Sequence, residues 1–519
     1  MRATLSIVLP LLLALALRLV GLGHGDGVYV YHPDVAKQIR VAFRYFEGKE
    51  NLRGAYKEDF QMELYPYGTA VLIGRGVRTA QGVGLCEYQR GSLWEWAMVF
   101  RGVVVATALL AMGLVLWALR PALGPGGTLL TGLLLATEPW HAQMSHYEMN
   151  DVPMLSLLIM AWLTVAALGR ERGRWPVYSF LVGGLLGIAF GVKYQALLGG
   201  VLLLAGWIGH FPGRGWPWLL RSLLGAGLGG VLGVLVTCPL IYLEPLYFLE
   251  QFPIFMSWQA NITELNMSTG EKLARNIPRL LWGLVEHGRW LLVVPAGWTL
   301  ARLFHPATPH LERVLVGSAA AFCAVLAGAM ATSRDIVRDN DLIPLLSFLI
   351  LAAGWAATRV AHPLGRQLAQ GAGWAFVVWS LCIAIPDSLA LSRTDTRSRA
   401  LAWCEANVPE GSVVRREQYT VAPRKPITDR MHRYLVEPEV QRIIREGHFD
   451  FLLTSSLAHA RFFDRFFFAA QPAAQAFYRE LPQRFEEVAV FADRELMFAH
   501  PTIRVFRKRA EAERTTEDG

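Results

Sequence analysis

The chain carries about eleven apolar runs, each close to the ~20 residues that an α-helix needs to cross a bilayer. Lipid offers no hydrogen-bond partners to a backbone, so such runs restrict a chain to helices that satisfy their own polar groups. The runs lie approximately at 3–22, 96–119, 125–143, 152–169, 176–191, 194–210, 217–240, 289–304, 312–331, 341–358 and 371–391.

Composition supports the same fold class. With 53% hydrophobic and 18% charged residues, the 519-residue chain is too apolar for an ordinary soluble enzyme. Its net charge of +8 could indicate a nucleic-acid partner, but the Arg residues cluster in short gaps between apolar runs. The preference for positive charge on the cytoplasmic side of a membrane explains that distribution better. The sequence therefore predicts a polytopic α-helical membrane protein that does not bind nucleic acid.

The Arg distribution also predicts the orientation. A cytoplasmic N-terminus, with the first run kept as a helix because no small-residue cleavage site follows it, places Arg in every cytoplasmic connection. The opposite face then receives most of the polar residues. We expect it to carry the loop 23–95, the connection 141–151, Lys193, the loop 242–288, the turn 334–341 and everything after 391.

From about residue 392 the pattern becomes that of a small soluble α/β domain, which divides the chain into 1–391 and 392–519. A helix is predicted at Thr396–Asn407, and strands are predicted at Ser412–Arg415, Asp450–Ser455, Glu487–Phe491 and Thr502–Phe506. The five cysteines show no CxxC or metal-ligand spacing and are assigned no chemistry. The sequence does not decide whether Cys86 and Cys404 pair.

The first candidate for chemistry is Asp34, which follows His32 and Pro33 shortly after the first apolar run. An Asp before the periodic segment 35–46 could simply be a helix N-cap. A carboxylate just outside the bilayer could also act on a substrate, with His32 beside it. Both interpretations stay open.

A second candidate segment, 138–153, connects two apolar runs. Asp151 is either another N-cap or a second functional carboxylate. In the second case, one of Asp34 and Asp151 would accept a proton while the other orients a sugar or a cation. Glu148 and His146 are further candidates in this connection. His141 and His146 could bind a metal, but no clear third ligand accompanies them. The sequence predicts no definite cofactor and leaves a divalent metal open.

Cations form the third group of candidates. Lys193 lies between two strongly apolar segments, so it must snorkel to the interface or meet an anion. Arg334 and Arg338 are flanked by acidic residues, and the pattern fits either a salt-bridged turn or a cation cluster. These three side chains would suit a lipid phosphate.

Two further stretches suggest interfacial segments. The loop 242–288 is rich in Phe and Trp and could border a lipid groove or simply anchor the chain at the interface. The run 65–73 is too short to span and is predicted to lie at the interface.

Several motifs together resemble the GT-C superfamily, most closely the bacterial relatives of protein mannosyltransferases and of the lipid A aminoarabinose transferase. They are YHPDV around Asp34, Arg101 early in the second run, Asp151 two residues before Pro153, and SRDIVRDNDLIPLL before a late run. The tail segments TRSRALAWCEANVPEGSVV, FDFLLTSS and PTIRVFRK resemble the extracytoplasmic tail domain of such proteins.

The resemblance implies a glycosyltransferase of the bacterial inner membrane that uses a polyprenyl-phosphate-linked sugar donor, an envelope acceptor and an extracytoplasmic active site, with inversion. Asp34 matches the acidic residue assigned as general base, and Asp151 matches the acid of the next outer loop. Lys193 with Arg334 or Arg338 would then stabilise the departing phosphate. Val35 stands where a second acid often follows, which argues against a metal site built from adjacent acids.

Two other classes of protein remain as alternatives. A transporter or flippase for an anionic lipid would also need cations and a long apolar bundle, but transporters usually hold their ionisable residues near the midplane on broken helices. A scaffold protein would leave the acids no purpose beyond capping. The candidates here lie at predicted helix ends, which favours chemistry at the interface.

Overall fold

The computed structural model describes residues 2–25, 33–49, 67–84, 93–168, 175–210, 215–261, 268–333, 337–464 and 471–509. Contacts divide the chain into two compact units. One comprises Met1–Val20 and Asp34–Ser388, and the other comprises Gly21–Pro33 and Leu389–Gly519.

The first unit is helical. Its helices are α1 (Arg2–Leu19), α2 (Pro33–Phe46), α3 (Gly68–Gly82), α4 (Leu93–Thr137), α5 (Pro139–Met144), α6 (Asp151–Leu168), α7 (Trp175–Val192), α8 (Gly200–His210), α9 (Trp216–Thr237), α10 (Leu240–Leu243), α11 (Pro245–Asn261), α12 (Thr269–Val285), α13 (Trp290–Ala301), α14 (His310–Thr332), α15 (Asp339–Arg359) and α16 (Pro363–Leu391). Short 3-10 helices lie at Tyr194–Gly199, Glu286–Gly288 and Arg302–Phe304.

Every predicted apolar run overlaps one of these helices. Among the described residues, six helices are long and apolar enough to cross a membrane, and four shorter apolar helices accompany them. The chain is thus a polytopic helical membrane protein, as predicted. The number of helices that span stays a prediction.

Helix α4 accounts for two of the predicted runs. Its 45 residues would extend about 68 Å if straight, far beyond a ~30 Å hydrocarbon core. Gly124 interrupts it with φ 65° and ψ 174°, a conformation that glycine adopts without penalty. A Cβ built on Gly132 would lie 2.9 Å from Leu116 Cδ1. Residues sixteen positions apart lie about 24 Å apart along one helix, so the halves fold back on each other.

Helices α7 and α9 pack with their backbones in close approach. A Cβ built on Gly229 of α9 would meet the carbonyl oxygen of Phe180 in α7 at 2.0 Å. Small residues let membrane helices approach this closely and pack by van der Waals contact. The pair is therefore specified by its glycines.

The predicted loop 242–288 contains more helix than expected. The interval 242–288 holds α11 and α12, and α12 begins with a capping box in which Ser268 and Glu271 bond reciprocally. The described part of the predicted interfacial run 65–73 overlaps helix α3 from Gly68 onward. The amphipathic pattern and the capping box account for a helix in a segment that was predicted as a loop.

The second unit contains a five-stranded sheet. Its elements are α17 (Thr396–Asn407), β1 (Val413–Glu417), β2 (Thr428–His432), α18 (Pro438–Arg445), β3 (Phe451–Ser455), α19 (Ser456–His459), a 3-10 turn (Ala460–Phe462), α20 (Pro472–Arg484), β4 (Glu486–Phe491) and β5 (Ile503–Arg507). The strand order is β2-β1-β3-β5-β4, with β1 parallel to both neighbours and β5 antiparallel to both of its own. The predicted helix and four predicted strands are confirmed; β2 was not predicted.

Two cores cover the two faces of this sheet. One joins Leu452 and Phe506 to residues of α18 and α20. The other joins Leu453 and Val505 to residues of α17. Neighbouring residues of one strand point to opposite faces, so the unit has three layers with the sheet in the middle.

Candidate active site

The connection between α4 and α6 is folded into the protein rather than exposed. Glu138 caps the N-terminus of α5, accepting a hydrogen bond from the His141 amide at 2.6 Å. Every residue of α5 is buried, and α5 packs against α1, α4, α6 and α15. The polar side chains of this connection consequently lie among helix ends, where each needs a partner.

Asp151 and Lys193, both predicted site residues, form an ion pair. Lys193 Nζ lies 2.6 Å from Asp151 Oδ1 and 3.6 Å from Asp341 Oδ1. Asn340 Nδ2 donates to Asp151 Oδ1 at 3.1 Å. The Asp151 side chain is 3% exposed and the Lys193 side chain 16%. This Asp151 cluster, defined as Asp151, Lys193, Asn340 and Asp341, joins the starts of α6 and α15 to the end of α7.

The cluster shows which groups the Lys193 ammonium contacts. Its ammonium meets carboxylates of the protein itself, so snorkelling alone does not describe it. Asp151 is the first residue of α6, which also places its negative charge favourably at a helix N-terminus. Asp151 thus both stabilises the N-terminus of α6 and pairs with Lys193.

Arg101 and Glu148 form a second pair. Arg101 Nε donates to Glu148 Oε1 at 2.7 Å, and neither side chain is exposed to solvent. The guanidinium carbon also lies 5.1 Å from the centroid of the Trp94 ring. Burial raises the pKa of the Glu148 carboxyl, and the charge of Arg101 opposes that rise.

A third pair was not predicted. Arg289 donates to Glu138 Oε1 from Nη2 at 2.6 Å and from Nε at 3.1 Å, and its guanidinium carbon lies 3.8 Å from the centroid of the Trp140 ring. Arg18, inside the first apolar run, lies 2.7 Å from His141 Nδ1 through Nη2. A lone Arg within an apolar run is a signal of function or structure in a membrane protein, and this signal could have identified Arg18.

His146 has two backbone neighbours. Its Nδ1 lies 3.0 Å from the carbonyl oxygen of Ala142, and its Nε2 lies 2.9 Å from that of Val20. Burial lowers the pKa of His146 to about 4, so the neutral ring can donate to only one of them at a time. These contacts favour a structural role over metal binding.

The remaining predicted residues are only partly described. Helix α2 begins at Pro33, so Asp34 lies in its first turn rather than at the cap position; its side chain, like His32 and Arg334, lies outside the described residues. Arg338 is exposed just before α15, where its amide donates to Asp341 Oδ2 at 3.2 Å. In the described part of the chain, no three His, Cys, Asp or Glu residues form a group that could hold a metal ion.

An apolar cavity of about 360 Å³ lies among α13, α14 and α15. Trp162, Leu315, Phe348 and Trp355 are among its lining residues, and of the described residues that line it Thr299 alone carries a hydroxyl. A cavity of this composition suits hydrocarbon.

The helical unit and the C-terminal α/β unit share the fold of two solved structures, and this is the fold that the sequence motifs predicted. Two crystal structures of ArnT from Cupriavidus metallidurans share this fold, one bound to undecaprenyl phosphate and one in the apo state. Both align with a TM-score of 0.52 over 97% of this chain and 98% of theirs, at 15% and 14% identity.

A crystal structure of the Archaeoglobus fulgidus oligosaccharyltransferase, in complex with zinc and sulfate, aligns with a TM-score of 0.44. That alignment covers 88% of this chain and 68% of the other at 12% identity. No protein-family model matches the chain, and comparison with curated proteins finds no significant sequence match.

Proposed function

We propose that this protein is a membrane glycosyltransferase that moves a sugar from a polyprenyl-phosphate-linked donor to a hydroxyl group of an envelope acceptor. The observation that carries the proposal is the fold shared along 97% of the chain with ArnT, which was crystallised with undecaprenyl phosphate. Fold alone does not define function, so the proposal also depends on the charged groups at the helix ends.

In the proposed reaction, the carboxylate of Asp34 accepts the proton of the acceptor hydroxyl. The acceptor oxygen forms a bond to the anomeric carbon from the face opposite the leaving group. The bond from that carbon to the phosphate oxygen breaks, and the lipid phosphate leaves with the electron pair. One attack of this kind inverts the anomeric centre, and general-base assistance contributes typically ~10²–10⁴-fold.

We assign the departing phosphate to Lys193, with Arg338 and Arg334 as further cations. Asp341 is the more distant carboxylate on Lys193, at 3.6 Å, and at 18% exposure it is also the more accessible. A phosphate oxygen can therefore replace Asp341 while Asp151 keeps Lys193 in place. In this arrangement Asp151 positions the cation, and proton transfer belongs to Asp34. Positive charge aimed at a developing anion is the usual electrostatic contribution to such catalysis.

The proposed division is a membrane unit at 1–391 and an extracytoplasmic unit at 392–519, in a bacterial inner membrane. Its support is the Arg distribution. Single cysteines introduced at Ser412 and Gly270 should react with an impermeant maleimide from outside intact spheroplasts, and one at Arg172 should not. Labelling at 172 from outside would reverse the orientation and move the proposed site to the cytoplasmic face.

The apolar cavity among α13, α14 and α15 is assigned to part of a prenyl or acyl chain. Its lining offers almost no polar group, so a hydrocarbon chain would lose no hydrogen bonds on entering it. Ala296→Trp should fill the cavity and weaken binding of undecaprenyl phosphate more than binding of a short-chain polyprenyl phosphate. Equal weakening of both lipids would refute this assignment.

The decisive variant is Asp34→Asn, which keeps the volume of the side chain and removes the base. We expect transfer to fall by ~10²–10⁴-fold while donor binding persists. Asn keeps the size of Asp and one of its acceptor oxygens, so a merely structural Asp34 would leave turnover close to normal. Asp151→Asn in the same assay tests whether the second carboxylate is the base instead.

The donor and product first have to be identified. Mass spectrometry of envelope glycolipids and glycoproteins, from cells with and without the gene, should reveal one missing sugar, and its linkage tests inversion. An unchanged glycan profile under all growth conditions that express the gene would contradict a transferase.

Phosphate binding has a separate test in purified protein in nanodiscs. Lys193→Ala should weaken binding of undecaprenyl phosphate, because the cation nearest the departing phosphate is lost. Lys49→Ala is the matched control, since Lys49 forms a surface pair with Glu47 at 2.8 Å and its side chain is 62% exposed. Equal affinity in the Lys193→Ala variant would remove Lys193 from the phosphate site.

A further inference from the structure

A small cavity lies in the membrane unit where α5 meets α4, α6 and α15. Its volume is about 10 Å³, close to the least that one water molecule needs. Three of its lining side chains are polar: His141 of α5, Ser156 of α6 and Ser347 of α15. These residues are 8%, 1% and 4% exposed. Polar groups buried this deeply in an apolar bundle need hydrogen-bond partners.

Arg18 determines which ring nitrogen of His141 carries a hydrogen. Arg18 Nη2 lies 2.7 Å from His141 Nδ1, and a guanidinium has donors only. Nδ1 is therefore the acceptor, and the ring hydrogen lies on Nε2. The other hydrogen bonds of His141 use its backbone amide and its carbonyl oxygen. Within the described part of the chain, the Nε2–H group thus has no acceptor.

The two serine hydroxyls can bond to the same molecule as Nε2–H. Ser156 Oγ donates its hydrogen to the Val152 carbonyl oxygen at 2.8 Å, so its lone pairs remain able to accept. The Ser347 hydroxyl bonds to none of the described residues and can both donate and accept. The cavity therefore offers one fixed donor, one fixed acceptor and one hydroxyl that can turn to suit its partner. A water molecule, which donates twice and accepts twice, matches all three groups.

We propose that this cavity binds one structural water molecule, which accepts from His141 Nε2–H, donates to Ser156 Oγ and has Ser347 Oγ as its third partner. Buried waters typically make two to four such bonds to polar groups that would otherwise lack a partner. A metal ion is unsuited, because Nε2 offers a hydrogen and no lone pair. A halide ion is unsuited as well, because it has no hydrogen for Ser156 Oγ. The water site does not depend on the proposed transfer reaction.

The water adds a second polar contact between α6 and α15. The first is the hydrogen bond from Asn340 to Asp151, at 3.1 Å, where both helices begin. Ser156 lies five residues beyond Asp151, and Ser347 lies seven residues beyond Asn340. These spacings correspond to about 7.5 and 10.5 Å along the helices. A water held at this depth fixes the two helices against sliding, and so keeps Asn340 within reach of Asp151.

A crystal structure of the full-length protein that resolves ordered water tests the site directly. One density peak should lie about 2.5–3.2 Å from His141 Nε2 and from both serine hydroxyls. The absence of a peak from a cavity whose side chains are well defined would overturn the proposal. Crystals soaked in bromide separate water from a halide ion, since bromide has an anomalous signal. A bromide peak at this position would overturn the proposal in favour of an anion.

Ser347→Ala tests the same contact through stability, measured by tryptophan fluorescence during unfolding in SDS-containing mixed micelles. With the water bound, the variant loses one hydrogen bond, and its equilibrium constant of unfolding should rise about threefold to tenfold. Without the water, the variant loses only a buried hydroxyl that has no partner, so the constant should stay the same or fall.

Ser380→Ala in α16 is the matched control for this measurement. Ser380 Oγ is also buried without a hydrogen-bond partner among the described residues, and Ser380 lines neither cavity. Both substitutions replace a buried helical serine by alanine, so the gain in helix propensity is the same. The unfolding constant of Ser380→Ala should therefore not rise. Equal effects of the two substitutions would overturn the proposal.

Discussion

Removing the charge of Glu148 should destabilise the membrane unit severely. Glu148→Gln keeps the shape of the side chain but leaves the Arg101 guanidinium, which is wholly buried, without its carboxylate at 2.7 Å. Loss of one partner from a buried ion pair costs about 3–5 kcal/mol, because the remaining buried charge loses the counter-charge that offsets its desolvation. Arg101→Met should cost a similar amount. The double variant removes both charges, so we expect it to be more stable than the sum of the single effects predicts, by about 2 kcal/mol or more.

The free energy of unfolding can be followed by tryptophan fluorescence in mixed micelles with a rising fraction of SDS. Glu47→Gln is the control, because Glu47 pairs with Lys49 at nearly the same distance, 2.8 Å, but at the surface. Exposed pairs contribute about 0–1 kcal/mol, so this variant should be close to the wild type. Two outcomes would refute the reasoning. A loss under about 1 kcal/mol for Glu148→Gln would mean that the carboxyl is already neutral, and additive single effects would mean that the pair has no coupling.

Two further predictions concern the packing of the membrane unit and the acid stability of the C-terminal unit. Gly229→Ala should lower the free energy of unfolding by about 1–3 kcal/mol in the same assay, because its Cβ meets the Phe180 carbonyl oxygen. Gly227→Ala is the control in the same helix, since its Cβ meets nothing within 4 Å and should not destabilise the protein. Equal effects of the two variants would contradict the packing argument. Burial would raise the pKa of Asp395, but the Arg397 charge and hydrogen bonds outweigh burial and lower it. The ionised Asp395 therefore stabilises the folded C-terminal unit. This stabilisation is complete above the unfolded pKa of 3.8 and is lost as pH falls toward the folded value. Hydrogen exchange of α17 should become faster in acid as this stability is lost, and Asp395→Asn should remove that pH dependence. An unchanged pH dependence in Asp395→Asn would mean that another group causes it.

Sequence patterns predicted the fold where each segment carries its own signal. The bounds predicted for helix α17 are confirmed. Asp395, a capping residue directly before Thr396, explains where the helix begins, since its side chain accepts from the Arg397 amide at 2.8 Å. Strand β2 was missed because Thr428–His432 lies at the sheet edge and is mostly polar, so no alternation of apolar residues identifies it. Its place in the sheet depends on pairing with β1.

The site was predicted as a set of residues but not as a set of partners. Asp151 and Lys193 were both candidates, yet the sequence could not pair them, because the contact joins residues 42 positions apart through the packing of three helices. Arg289 and Glu138 are 151 positions apart, and their pairing was not predicted for the same reason. Burial decides which charges need each other, and burial follows from the tertiary structure.

The fold-back of α4 at Gly124 also bears on how the protein is made. Its two halves turn within a few residues, with no soluble segment between them. Both halves are apolar and adjacent in sequence, so we expect the insertion machinery to release them together as one helical hairpin. The two halves would then share a single insertion free energy, in which the strongly apolar half compensates for any polar residue in the other. Gly124 thereby contributes to biogenesis as well as to the shape of the finished bundle.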